Sequence, residues 1–362
     1  MRATAYISIL ALALMLGACG NLQMGQKPLG ELMVWEELSP NIQASVADYA
    51  DAKEGVPPCG TLAVLPGSGE LYLTANGEHG LFHSTDHGES WERIPEADVK
   101  GRTYGGFSTN VDPETGRMIL FTVKVKNVPF PTGAMTVDGG KTWTPVNRAE
   151  NDGYSWGMAD WSVRNPKVVL AKQHHGPAWL WLSKDGGQTW KRLDFQSREP
   201  GVIDTNTFVA WKPETENEEG GIYRSIDQGK TWDKVSDIAI TGKTPFRYGG
   251  NFYWTCRDGV AVSRDQGKTW QLCGAKVPGA LWGPYFGRSE KEMMVVSQDG
   301  FFATDDGCRT WTKLHDFYMT GDEENNPSYN ITHPTSSFGW DPEKGYLYCG
   351  RYWWTIARYR YK

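Results

Sequence analysis

Six nearly identical eight-residue segments recur along this chain, and their recurrence restricts the fold more than any other feature. The first reads Ser84-Thr85-Asp86-His87-Gly88-Glu89-Ser90-Trp91. The others run from Thr136 to Trp143, Ser183 to Trp190, Ser225 to Trp232, Ser263 to Trp270 and Thr304 to Trp311. Successive tryptophans are 52, 47, 42, 38 and 41 residues apart. A regular period of roughly 20 to 50 residues signals a repeated supersecondary unit rather than a single irregular core.

Each copy falls between two short runs of alternating apolar residues, such as the strand-like Trp190-Lys191-Arg192-Leu193 after the third copy, and alternation argues for half-buried strands. The segment is therefore expected to be a hairpin loop. The carboxylates of Asp86, Asp138, Asp185, Asp227, Asp265 and Asp306 accept backbone N–H groups, glycine supplies the positive φ of the turn, and the tryptophan closes an apolar seam.

The pattern resembles the Asp-box (BNR) repeat of the sialidase-like superfamily, which includes polysaccharide-active enzymes, sortilin-type receptors and a photosystem assembly factor. Five copies fit fully, whereas in the sixth Cys308 stands where glycine is expected and Gly307 comes one place early. The resemblance implies an all-β propeller in which the boxes are turn staples remote from any chemistry.

Six boxes account for six blades. The C-terminal segment offers three more strand-like runs, near Ser336–Asp341, Tyr346–Gly350 and Thr355–Tyr361, and Met33 to Leu38 resembles the missing fourth. A seven-bladed ring closed by the N-terminal strand is expected, which would leave no open sheet edges. A six-bladed ring is the alternative.

Residues 1–18 read as a lipoprotein signal peptide: Arg2, an apolar stretch from Ala5 to Leu16, and Leu16-Gly17-Ala18-Cys19. The stretch is shorter than the ~20 apolar residues of a membrane span. Cys19 would carry the lipid, residues 19–31 would form a polar tether, and residues 32–362 a single propeller domain. These features point to a bacterial envelope, facing the periplasm or the cell surface. A net charge of −6 over 362 residues offers no basic field for nucleic acid. Besides Cys19 there are five cysteines, of which Cys59 and Cys349 would lie in neighbouring blades and form the preferred disulfide. No Cys-x-x-Cys spacing suggests zinc, and neither a metal nor a cofactor is expected.

With the innermost strand first in each blade, the boxes occupy one face of the ring and the loops of the opposite face surround the channel mouth, where ligands bind in concave folds. The ends of second strands there include Lys172, His174 and His175, Lys212, Arg257, and Arg351 with Tyr352; the approaches to first strands include Tyr104, Tyr154, Trp156, Asp160, Asp204, Arg247, Tyr248 and Trp282. Cations and aromatics gather on a chain that is acidic as a whole. Arginine forks hold carboxylates and flat aromatic rings hold sugars, so an acidic oligo- or polysaccharide is the expected partner.

Arg247, Arg257, Arg351, Trp156, Tyr248, Trp282 and Tyr352 are the substrate-binding candidates. His174, His175, Tyr104, Tyr154 and Asp160 are the catalytic ones. The superfamily resemblance implies uronic or sialic substrates and either of two reactions. One is hydrolysis, with an arginine triad and a tyrosine nucleophile. The other is β-elimination, in which a histidine or tyrosine takes the proton beside the carboxylate while a cation neutralises it. The sialidase Arg-Ile-Pro element precedes the first box, whereas Arg93-Ile94-Pro95 follows one here. A non-catalytic glycan-binding or protein-assembly propeller is the alternative.

Overall fold

In a computed structural model, residues 35–38, 40–42, 61–75, 80–94, 109–121, 133–147, 153–174, 176–316, 337–350 and 356–362 are described. They build seven four-stranded antiparallel sheets arranged as the blades of a propeller, and helix among them is confined to 40–42. Blade 1 comprises Leu62–Val64, Leu71–Ala75, Gly80–Ser84 and Glu92–Ile94. Blade 2 comprises Thr109–Val111, Met118–Phe121, Gly133–Thr136 and Thr144–Val146. Blade 3 is built from Tyr154–Ala159, Val169–Gln173, Trp179–Ser183 and Lys191–Gln196. Blade 4 follows with Glu199–Val202, Phe208–Lys212, Gly221–Ser225 and Asp233–Ser236. Blade 5 has Phe246–Tyr248, Asn251–Cys256, Gly259–Ser263 and Gln271–Leu272, and blade 6 has Ala280–Phe286, Met293–Ser297, Gly300–Thr304 and Thr312–Asp316.

Blade 7 takes three strands from the C-terminus, Ser337–Asp341, Tyr346–Gly350 and Ile356–Arg360, and its fourth from the N-terminus, Glu36–Glu37. Seven blades, rather than six, are thus present, and the closing strand pairs Glu36 with Arg358 and Glu37 with Ala357. Arg358 fastens this junction. Its guanidinium donates to both carboxylate oxygens of Glu36 at 2.7 and 2.9 Å, to Glu89 at 2.5 Å and to the carbonyl of His87 at 3.0 Å.

The boxes form as their residue pattern dictates. In the first, Ser84 Oγ donates to Asp86 Oδ1 at 2.8 Å and accepts from Gly88 N at 2.8 Å, while Ser90 donates its N–H and hydroxyl to the same carboxylate. The Trp91 indole donates to Gly88 O at 3.1 Å. The backbone and hydroxyl of Thr231 hold the Asp227 carboxyl well below the usual carboxylate range. Box tryptophans then pack in the seams between blades; Trp190 stacks 4.5 Å from Tyr154 within the apolar core shared by blades 2 to 5.

The first strand of each blade is innermost. First strands of blades 1, 2, 5, 6 and 7 line an axial cavity of about 80 Å³, walled by Leu62, Val111, Phe246, Trp282, Phe338 and Lys243 among others. Such a volume holds a few waters. On one side this cavity is bounded by a contact across the ring, where Asn110 of blade 2 reaches Thr244 beside blade 5.

The segment 1–34, including Cys19 and the expected signal peptide and tether, lies outside the described residues, as does Cys59. No helix among the described residues is long and apolar enough to cross a membrane.

Candidate functional site

First strands begin on the face opposite the boxes, and the inner-strand beginnings of blades 3, 4 and 5 bring charge together. Only Ser197 and Arg198 separate the last strand of blade 3 from the first of blade 4. Glu199 therefore begins an inner strand and is buried, 4% exposed. The connection into blade 5 carries Lys243, whose Nζ lies 3.3 Å from Glu199 Oε1. From blade 3 come Trp156, on the inner strand, and Lys172, directly paired with it on the second.

Trp156 organises the cluster. Lys172 Nζ lies 4.7 Å and Lys243 Nζ 4.9 Å from its ring centre, distances at which the negative ring face attracts a cation. The indole N–H donates to Arg198 O at 2.8 Å, which fixes the ring. Two ammonium groups and the Arg198 guanidinium thus surround one buried carboxylate, whose Oε2 has no hydrogen-bond partner.

This crowding alters proton affinities. Burial pushes the Glu199 carboxyl upward, against the pull of Lys243, Lys172 and Arg198. Burial lowers the Lys172 amine to about 8; Glu199 raises it in part, while Lys243 and Arg198 lower it. An amine near 8 is partly neutral at mildly alkaline pH and can accept a proton. Nearby, Ser155 Oγ lies 2.9 Å from His174 Nδ1.

Several candidates from the sequence lie elsewhere. Asp160 follows the end of the inner strand of blade 3 and so sits on the box side. It is fully buried and accepts from Ser162 N–H at 3.0 Å, from the Ser162 hydroxyl and from Thr205 at 2.8 Å: a turn staple between blades 3 and 4. Asp204 follows the matching strand of blade 4 and caps a turn through Asn206 and Thr207. Tyr248 is also displaced to the box side, because its strand closes a tight hairpin with Asn251; its hydroxyl donates to Arg288 O at 3.2 Å. Arg247, next to it, reaches Glu114 of blade 2 at 3.2 Å.

Tyr154 is at the expected end of its strand, but alternation turns the ring into the seam against Phe121 and Trp190, with no exposed surface. Trp282 is a cavity wall packed 5.2 Å from Phe338. Arg257 is exposed at the turn between the second and third strands of blade 5, on the face opposite the boxes. Lys212 is spent on Glu218, 3.2 Å away, and on the Phe195 ring. Tyr104, His175, Arg351 and Tyr352 lie outside the described residues.

Trp156 and Lys172 thus lie side by side and His174 turns to Ser155, while Glu199, Lys243 and Arg198 were missed. The signal for Arg198 and Glu199 was the two-residue link between blades 3 and 4, which makes Glu199-Pro200 the start of a strand rather than a loop; Lys243 had no such local signal.

Among the described residues no cluster of three or more histidine, cysteine or acidic side chains could hold a metal ion.

The family model for the BNR/Asp-box repeat matches residues 82–93 and 261–272, each spanning a third strand, its box and the start of the fourth. The chain is an Asp-box β-propeller. A second family model, photosynthesis system II assembly factor YCF48, matches residues 132–259 of this propeller. Among curated relatives, a xyloglucanase from Paenibacillus sp is 25% identical over 346 residues, covering 86% of this chain and 30% of that protein. Sortilin of Danio rerio is 22% identical over 213 residues, covering 56% of this chain and 25% of that protein. The Asp-box propeller described here thus spans less than a third of the length of either relative. Among solved structures, the GH74 enzyme of Niastella koreensis superposes with a TM-score of 0.55 at 12% identity, over 85% of this chain and 43% of that one, a likeness of fold.

Proposed function

We propose that this propeller is a carbohydrate-active protein that takes an acidic sugar at the Trp156 cluster and cleaves the glycan by β-elimination. The observation that carries this reading is the gathering of Lys172 and Lys243 on the Trp156 ring beside buried Glu199, where burial brings the Lys172 amine to about 8. Elimination needs a base for the proton next to the sugar carboxylate, and a cation to make the resulting enolate-like anion tolerable. Lys172 serves as the base, and Lys243 with Arg198 hold the carboxylate. The proton passes to the Lys172 amine, the carbon–oxygen bond at the β-position breaks with its electron pair on oxygen, and that oxygen takes a proton from solvent.

Hydrolysis is the weaker reading at this site. Glycosidases of the common type use two carboxyl groups roughly 5 to 10 Å apart, whereas the charges acting on Glu199 are Lys243, Lys172 and Arg198, all cationic. The xyloglucanase likeness supports carbohydrate as the ligand class.

A second reading has its own support. The YCF48 family match over residues 132–259 includes Trp156, Lys172, Arg198, Glu199 and Lys243, and the same cations suit a carboxylate on a protein partner. In either reading we place the ring at a bacterial envelope through a lipid on Cys19; loss of membrane partitioning and of lipid mass in Cys19→Ala tests that part.

Incubation of the protein with uronic and sialic glycans, following ultraviolet absorbance of the unsaturated product together with reducing ends, tests the reaction. A rise in both supports elimination. Reducing ends alone mean hydrolysis, and saturable binding without either means a binding or assembly role.

A further inference from the structure

The sixth box departs from the repeat at one position, and the blade before it departs at another. The fifth box residue is Gly88, Gly140, Gly187, Gly229 and Gly267 in the first five copies, all with φ between 77° and 96°. Cys308 holds this position in the sixth at φ 68°, a region that a β-carbon disfavours. Three residues beyond the box tryptophans stand Ile94, Val146, Leu193, Val235, Cys273 and Leu314. Five are aliphatic and one is cysteine.

The two departures meet. A β-carbon on Gly187 would lie 2.9 Å from Val146 Cγ1, and one on Gly229 would lie 2.5 Å from Leu193 Cδ1. At those seams the aliphatic side chain of one blade fills the space above the box glycine of the next. At the seam between blades 5 and 6 the smaller Cys273 leaves room for a side chain on Cys308. Both thiols are buried in one apolar cluster with Tyr253, Val260, Phe286 and Val295, and the Cys273 thiol donates to the carbonyl of Gly307, the residue before Cys308, at 3.8 Å. The backbone around them is tightly joined, since Ala275 N donates to Cys308 O at 2.7 Å and Trp311 Nε1 donates to Ala275 O at 3.1 Å.

We propose that Cys273 and Cys308 are a covalent modification site, closing into a disulfide between blades 5 and 6 when the protein meets a disulfide oxidant. The Cys273 thiolate attacks one sulfur of the oxidant and expels a thiolate. Cys308, after losing its proton, attacks the Cys273 sulfur of the mixed disulfide, forms the Sγ–Sγ bond and expels the second thiolate. The protein gives up two protons and two electrons, and the oxidant becomes two thiols. The Cys273 thiol is the better first nucleophile, because the neighbouring Cys308 thiol and the charge of Arg264 lower it, while Cys273 itself and burial drive Cys308 far up. With both sulfurs buried, reaction takes place as the seam opens.

The test holds the full chain in oxidised glutathione with enough urea to loosen the blades, then alkylates, digests and weighs the peptides. The expected result is one linked peptide pair containing Cys273 and Cys308, two hydrogens lighter than the separate peptides, and a melting temperature about 5 °C above that of the reduced protein. Cys308→Gly, which restores the residue of the other boxes, should fold and lose both effects. Recovery of Cys273 and Cys308 both alkylated, or linked to other cysteines, would overturn the proposal.

Discussion

Asn110, on the inner strand of blade 2, donates a hydrogen bond at 3.0 Å to Thr244 at the approach to blade 5, three blades round the ring. The same amide donates to Pro245 O at 3.3 Å, and its carbonyl accepts from Trp161 Nε1 at 2.6 Å. A propeller axis is commonly open, whereas here it is pinned. Arg117 extends the pin towards blade 3, donating to Trp161 O and to Asp112.

Replacing Asn110 by Ala leaves the Trp161 indole and the Thr244 hydroxyl without these partners in a buried place. A loss of about 2 to 3 kcal/mol in unfolding free energy is expected, measured by urea denaturation against the parent protein. An unchanged midpoint would mean that solvent replaces the bridge.

The base assigned at the site makes a directional prediction. The free protein should show kcat/KM on an acidic glycan rising with pH through about 8, as Lys172 loses its proton. Lys172→Met should lower kcat/KM by about 100-fold or more while the melting temperature holds.

Glu199 acts on that base through charge. Because Glu199 raises Lys172, Glu199→Gln should move the alkaline rise in rate to lower pH. A stability change with an unmoved profile would make Glu199 a packing residue only.

Box carboxylates carry an acid-stability signature. Hydrogen bonds from the Thr310 backbone and hydroxyl hold Asp306 at about 2, and Asp86, Asp138, Asp185, Asp227 and Asp265 are also lowered. A carboxyl lowered on folding adds stability that is present above its unfolded value near 3.8 and is lost as pH falls through the folded value. Stability should therefore decline from about pH 4 towards pH 2, followed by thermal melts across that range. Asp185→Ala should cost about 1 to 2 kcal/mol at neutral pH, with ligand affinity unchanged.

The ring and its closure were legible in the sequence because the box is a local structure: hydroxyl, carboxylate and glycine form the turn among themselves. Blade 7 was legible because the two chain ends complement each other in strand count. The site was legible only in part. Trp156 and Lys172 follow from strand ends, whereas Asp160 and Tyr248 were assigned to the wrong face. Inner strands such as Phe246–Tyr248 are short, and a slip of one strand length moves a residue from one face of the ring to the other. Glu199 and Lys243 become neighbours only through the packing of blades 4 and 5, which no local pattern records.

Closure by Glu36–Glu37 also sets an order of events in time. The strand Glu36–Glu37 has to wait for Arg358, 322 residues further along the chain, before it has its neighbour to pair with. Six blades can stack as they appear, but blade 7 and the ring can be completed only once the strand Ile356–Arg360 has been made. A chain cut short anywhere before residue 356 would leave both ends of the sheet array exposed, so truncated products should be distinguishable from the finished protein by their tendency to pair with one another.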